Sequence, residues 1–153
     1  LPERSFRFVA EGHLQAFLPL SQRSTLMSGL KGAWLISEDP IYRNEQYRIG
    51  GGRQLRGFDE ESIFATAYAI FTLEYRLLTG QNSYFYTFAD GAWLKDSRAG
   101  QPTRYDRPLG FGAGMTFETS AGIFSLGLAF GKRKNAPADF QNPKVHFGYV
   151  SLF

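Results

Sequence analysis

The sequence has no cysteine. That excludes a disulfide framework, a thiolate metal site and a thiol nucleophile together. Histidine is nearly as scarce: His13 and His146 are the only two. A metal site needs three or four converging ligands, and the acids Asp59, Glu60 and Glu61 with two distant histidines do not supply one, so no metal or other cofactor is expected. No apolar run approaches the ~18 residues of a spanning helix. Lys and Arg number 17 against 14 Asp and Glu, for a net charge of +3. The basic residues are dispersed, so nucleic acid is not an expected partner. The glycine-rich stretch from Gly50 to Ser62 lacks the Gly-x-x-x-x-Gly-Lys-[Ser/Thr] pattern of a phosphate loop, and no Gly-x-Ser-x-Gly elbow occurs anywhere. The chain begins at Leu1 without a signal peptide, which predicts a processed product or a piece of something longer.

What is abundant is aromatic side chains and glycine, with 15 Phe, 8 Tyr, 2 Trp and 17 Gly. They are arranged with period two. In "FRFVAEGHLQAFLPL" the even positions Phe6, Phe8, Ala10, Gly12, Leu14, Ala16, Leu18 and Leu20 are apolar or small, and the odd ones include Arg7, Glu11, His13 and Gln15. "LMSGLKGAWLI" sets Leu26, Leu30, Trp34 and Ile36 against Lys31. "ATAYAIFTLEYRL" sets Ala65, Ala67, Ala69, Phe71, Leu73, Tyr75 and Leu77 against Thr66, Tyr68, Thr72, Glu74 and Arg76. "YFYTFADGAW" is aromatic on both faces and carries its one charge at Asp90. "PLGFGAGMTFE" and "IFSLGLAFG" oppose large apolar residues to glycine and other small ones, and "KVHFGYVSLF" opposes Val145, Phe147, Tyr149 and Phe153 to Lys144 and His146.

The pattern predicts an all-β, antiparallel fold of seven strands or so, each with one face free of charge. Such alternation fits a soluble sandwich as well as a membrane barrel. Strand length and terminal aromatics favour the barrel, because strands of about ten residues, tilted, cross the hydrocarbon layer between aromatic girdles. Membrane lipid is then an expected partner. The connections alternate short ("SQRST", "TGQNS", "TSAG") and long (37–63, 95–107, 132–143). Outer-membrane barrels put short turns in the periplasm and long loops outside, which predicts an extracellular loop at about 37–63. On that topology the first strand starts outside, so residues 1–153 read as one domain, the C-terminal portion of a larger barrel. Both histidines and Ser125 fall on the polar face. Lumen lining accounts for them better than Ser–His chemistry, so no catalytic residue is expected.

"RIGGGRQLRGF", a strand ending "LEYRLL", then "FADGAW" and a terminal strand ending in Phe resemble the C-terminal half of the barrel in the BamA/TamA superfamily of outer-membrane assembly and secretion proteins. Arg56-Gly57-Phe58 matches the RGF core of that family's sixth extracellular loop, with Leu55 at the apolar position before it. Phe88-x-Asp90 matches the first half of its F-x-D-x-G motif, after which Ala92 stands where the family has Gly. In the terminal signal His146, Gly148, Tyr149 and Phe153 are the matching candidates, while Ser151 replaces an apolar residue. The resemblance implies a barrel of about 16 strands in the bacterial outer membrane, and a loop folded back so that Arg56 meets inward acids. Asp90 and Glu74 are the acids available. It also implies a non-enzymatic role in inserting outer-membrane proteins or translocating proteins, with unfolded client proteins as partners. A passive channel and a soluble lipid-binding barrel are the alternatives. Seven strands leave two edges, so self-association through them is a further expectation.

Overall fold

The computed structural model describes residues 6–52, 54–98, 100–133 and 141–151. Among the described residues there are ten strands: β1 (Arg7–Pro19), β2 (Ser24–Ser37), β3 (Tyr47–Ile49), β4 (Ile63–Ala65), β5 (Ala67–Gly80), β6 (Ser83–Asp96), β7 (Arg104–Asp106), β8 (Leu109–Thr119), β9 (Gly122–Lys132) and β10 (Lys144–Ser151). Among the described residues the only helical element is a single 3₁₀ turn, Arg43–Glu45.

Seven of the strands form an antiparallel meander in the order β1-β2-β5-β6-β8-β9-β10, with β7 added beside β6. The three tight connections, residues 20–23, 81–82 and 120–121, fall at one end of the sheet. Asn82 takes a positive φ of 51° there, a conformation its short amide side chain tolerates. The long connections fall at the other end. Among the described residues β1 and β10 do not pair, so the sheet is not closed.

The two faces invert the usual arrangement of a soluble protein. Phe71, Phe85 and Phe147 are exposed (Phe71 at 51% and Phe147 at 69%), while Asp90 and Glu74 on the opposite face are buried at 0% and 3%. Large apolar side chains left outside and carboxylates taken inside are what a lipid solvent selects. Trp34 stacks on Trp93 at 5.8 Å, and Trp93 meets Tyr105 at 5.9 Å, near the long-loop end of the outer face. Lys95 shares that rim, its Nζ 5.4 Å from the Trp34 ring, and Lys132 is level with Leu109 at the end of β9, so two strand charges lie on the apolar face where alternation puts none.

The third predicted strand differs from the observed one. Ala65 was grouped with Ala67 on one apolar face, but it belongs to β4, which pairs with β3 as a separate two-stranded sheet through Tyr47↔Ala65 and Ile49↔Ile63. Thr66 makes the break. Its N–H donates to the Lys95 carbonyl at 2.7 Å, and its own carbonyl accepts from the Leu35 N–H at 2.9 Å. The chain therefore leaves the wall at Thr66 without losing ladder bonds. This small ladder clamps the base of the segment 50–62, which alternation alone read as open loop.

Candidate functional site

The segment 50–62 lies against the inner face of the sheet. Its base is apolar: Ile49, Leu55, Ile63, Ala65, Ile70 and Leu94 form one buried cluster, flanked by Phe58, Tyr68 and Ala92. Ile70 and Leu94 come from the inner faces of β5 and β6, where apolar side chains have no purpose in a wet lumen. They cover the segment. Leu55 is fully buried among them. Burying a leucine of this kind stabilises by roughly 1.5–3 kcal/mol.

Beyond this cluster Arg56 reaches the wall. Its Nε donates to Asp90 Oδ2 at 2.8 Å and its Nη2 to Asp90 Oδ1 at 2.8 Å, a bidentate pair, and its backbone N–H donates to Oδ2 at 3.1 Å. Its Nη1 donates to Glu74 Oε1. Register explains the convergence. Thr72 faces Asp90 and Glu74 faces Phe88, so the two acids are diagonal neighbours on the inner face of β5 and β6, within reach of one guanidinium. Arg76 donates from Nε to the other Glu74 oxygen at 2.5 Å, so two acids and two arginines balance. The Arg56 guanidinium sits 3.7 Å from the Phe88 ring centroid and 5.9 Å from that of Tyr86. This is the work of the inward aromatics that gave "YFYTFADGAW" two aromatic faces. Burial works against the Arg56 charge, but the hydrogen bonds and charges of Asp90 and Glu74 outweigh it and hold the pKa above its ordinary value.

Gly57 has φ +100°, and a Cβ there would run into the Phe130 carbonyl and stand 3.2 Å from Gly110 Cα. Gly110 and Gly131 face one another across β8 and β9. A Cβ on Gly110 would strike the Arg56 carbonyl, and one on Gly131 would stand 3.0 Å from the Phe58 ring. The wall is bare of side chains where Arg56-Gly57-Phe58 lies on it, and only glycine gives the segment that approach.

His146 and Gly148 are on the inner face of β10. The His146 Nε2 accepts from the Gly57 N–H at 3.1 Å, and Lys144 Nζ pairs with Asp59 Oδ1 at 2.9 Å. Tyr149 is on the outer face, its hydroxyl donating to the Ala121 carbonyl at 2.6 Å. Phe153 lies outside the described residues. The segment thus touches Asp90, Glu74 and His146, while Tyr149 lies across the wall from it. His13, Gln15 and Met27 on one side and His146 and Gly148 on the other line one cavity of about 1120 Å³ with Arg56. Both edges of the sheet bordering one cavity means that the sheet is curled around it.

A family model described as the Omp85 superfamily domain matches residues 3–150. The chain belongs to the Omp85 superfamily. A comparison with curated proteins found no match. Membership as an Omp85 domain carries two coarse facts: the fold is a bacterial outer-membrane β-barrel, and the family's general role is assembly or translocation of proteins at that membrane, not enzymatic turnover. The likeness to the BamA/TamA barrels falls within it.

Reasoning from sequence did not find the inner-face partners Ile70, Leu94 and Tyr86, or the contact of Gly57 with His146. For the first three a signal was present: apolar and aromatic residues on a face otherwise polar. For the last there was none, since one partner is a backbone N–H.

Proposed function

We propose that residues 1–153 are a single membrane domain, the C-terminal portion of an Omp85 barrel of about 16 strands, that inserts outer-membrane proteins or translocates proteins, with unfolded client chains as its partners. Residues 37–63 are its extracellular loop, and Arg56, Gly57 and Phe58 are the lock that seats this loop in the lumen, with Asp90 and Glu74 as receivers. The observation that carries this reading is the deep seating of the loop against the wall and beside β10, the last strand. A loop bonded by a bidentate arginine to buried acids rigidifies one part of the wall. β10 pairs with β9 along one edge, and its other edge forms the seam of the closed barrel, where unpaired backbone groups in hydrocarbon would cost several kcal/mol each. Such an edge is suited to templating an incoming strand by β-augmentation. His146, Gly148, Tyr149 and Phe153 are the terminal strand signal in this reading.

The test is complementation of a strain depleted of the full-length protein, scored by the level of folded outer-membrane proteins. Arg56→Ala is expected to lose most of the activity. Arg48→Ala, whose guanidinium is exposed and 4.0 Å from Glu61, is expected to keep it. Equal loss from both removes the loop-lock reading. The polar cavity favours a second reading, a passive channel. Steady ion conductance from a variant that still lacks assembly defects would support it.

A further inference from the structure

We infer that His146 is a positioning residue that ties the loop to the edge strand, so that the loop braces β6 against β10. This deepens the function proposed above and rests on that reading.

The geometry has three parts. Gly57 N–H donates to His146 Nε2 at 3.1 Å. Gly52 lies on the same imidazole: a Cβ added to it would stand 3.2 Å from His146 Cβ and 3.5 Å from Cγ and Nδ1. Lys144 and Asp59 add an ion pair at 2.9 Å, with Asp59 71% exposed, so that pair is screened and weak. The imidazole is therefore the firm half of the tie. On the other side, Arg56 is the residue next to Gly57, and it is bonded to Asp90 through backbone and side chain alike. One peptide unit joins the two anchorages.

The strands so joined are not neighbours. β8 and β9 stand between β6 and β10, so the brace closes a chord across three inter-strand spacings, roughly 14 Å of wall. β10 is held along one edge by β9. Outward movement of β10 has to break the Gly57–His146 bond or drag Arg56 from its acids. The seating of the loop and the freedom of the edge are one variable.

The chemistry of the bond sets its condition. A nitrogen that accepts a hydrogen bond carries no proton, so His146 is the neutral imidazole with its proton on Nδ1. Protonating Nε2 would set N–H against N–H and abolish the bond. Arg56, Asp59 and Glu60 face this imidazole from the loop and Asp90 from β6, and Lys144 lies two residues away on its own strand. Its register partner on β9 is Gly127, flanked by Ser125 and Ala129, none of them charged.

The test measures amide exchange of Lys144–Ser151 and of the loop in the full-length protein in outer-membrane vesicles, between pH 5 and pH 8. In the native protein, the protection of both segments, taken against the intrinsic exchange rate at each pH, should fall together as the pH falls through the imidazole range. His146→Ala should lower the protection of both by roughly tenfold at pH 8, the size expected for one lost hydrogen bond, and add little at pH 5, where protonation has already broken it. His146→Gln, which keeps an uncharged acceptor at similar reach, should restore protection and flatten the pH profile. A native profile without pH dependence, or one that persists in His146→Gln, overturns the inference. Arg56→Ala separates the two proposals. If it loosens the loop while His146→Ala leaves β10 unchanged, only the brace is lost; if Arg56→Ala leaves the loop unchanged, the loop lock itself fails.

Discussion

The same loop region touches both β1 and β10, the first and last strands of the sheet, but with different chemistry. At β1 the contacts come from its base. Arg7 Nη1 pairs with Glu45 Oε1 at 2.5 Å, with Arg7 42% exposed, and Tyr47 lies within reach of the Glu11 charge. Burial, and then the Glu11 carboxylate, push the Tyr47 pKa up. At β10 an exposed ion pair, Lys144–Asp59, is joined by a contact from the tip, next to the buried arginine: a neutral hydrogen bond to His146. An exposed ion pair yields to salt and gains little in water. A bond continuous with a buried, bidentate lock does not share that weakness. Two edges that look alike in a strand diagram are therefore held to unequal degrees, and β10 is the one whose release is coupled to the loop.

The largest test of that contrast is Asp90→Ala. It leaves Arg56 with Glu74 alone, which Arg76 already engages. Breaking a buried pair from one side costs about 3–5 kcal/mol. The heat-modifiable barrel should melt at lower temperature, and β10 should lose its amide protection before β1 loses any. Equal loosening of the two edges would show that the loop does not distinguish them.

Gly57→Ala should act on β10 at intermediate strength. A φ of +100° strains any Cβ, by roughly 1–2 kcal/mol, and the methyl would also push against the Phe130 carbonyl. Faster exchange at the loop tip and β10, with β1 unaffected, is the expected readout. A Gly131→Ala variant should reproduce it from the wall side, through the Gly57 carbonyl at 2.5 Å and the Phe58 ring.

The smallest effect is at β1. The Tyr42 backbone N–H and then the Arg7 guanidinium hold the Glu45 carboxyl below its ordinary pKa. A depressed carboxylate contributes stability that is present above its unfolded-state pKa and lost as pH falls through its folded-state value. The β1 tie should therefore be intact at neutral pH and vanish only in acid below the usual carboxylate range. Glu45→Gln should remove that acid-dependent step in β1 exchange and leave β10 as it was. A change at β10 of the same size would erase the distinction between the edges.

Alternation alone was enough to read the seven long strands, the face of the charges away from the rim and the short connections, because a period of two is the direct imprint of a wall with two different solvents. Glu74 and Asp90 could be put on one face of adjacent strands by parity. Parity could not say where a strand ends when the hydrogen bonding continues, as at Thr66. It was also blind to the β3–β4 clamp, whose three-residue strands are too short to show a period. Ile70 and Leu94 broke the pattern visibly, yet their meaning needed the loop that covers them. The Gly57–His146 bond depends on a backbone group that every residue but proline carries, and it leaves no trace in the sequence.

The loop's anchors also lie at very different distances along the chain. Arg56 is 18 residues from Glu74 and 34 from Asp90, whereas Gly57 is 89 residues from His146. Contacts of low separation form first, and distant ones wait for the intervening chain to be ordered. The loop can dock on β5 and β6 while the rest of the wall is still being laid down, but its bond to His146 has to wait for β9 and β10. Loop docking thus gains a temporal meaning. The seated tip is in place as a landing mark when the final strand arrives, and its amides should become protected in two kinetic steps, the slower one coinciding with β10.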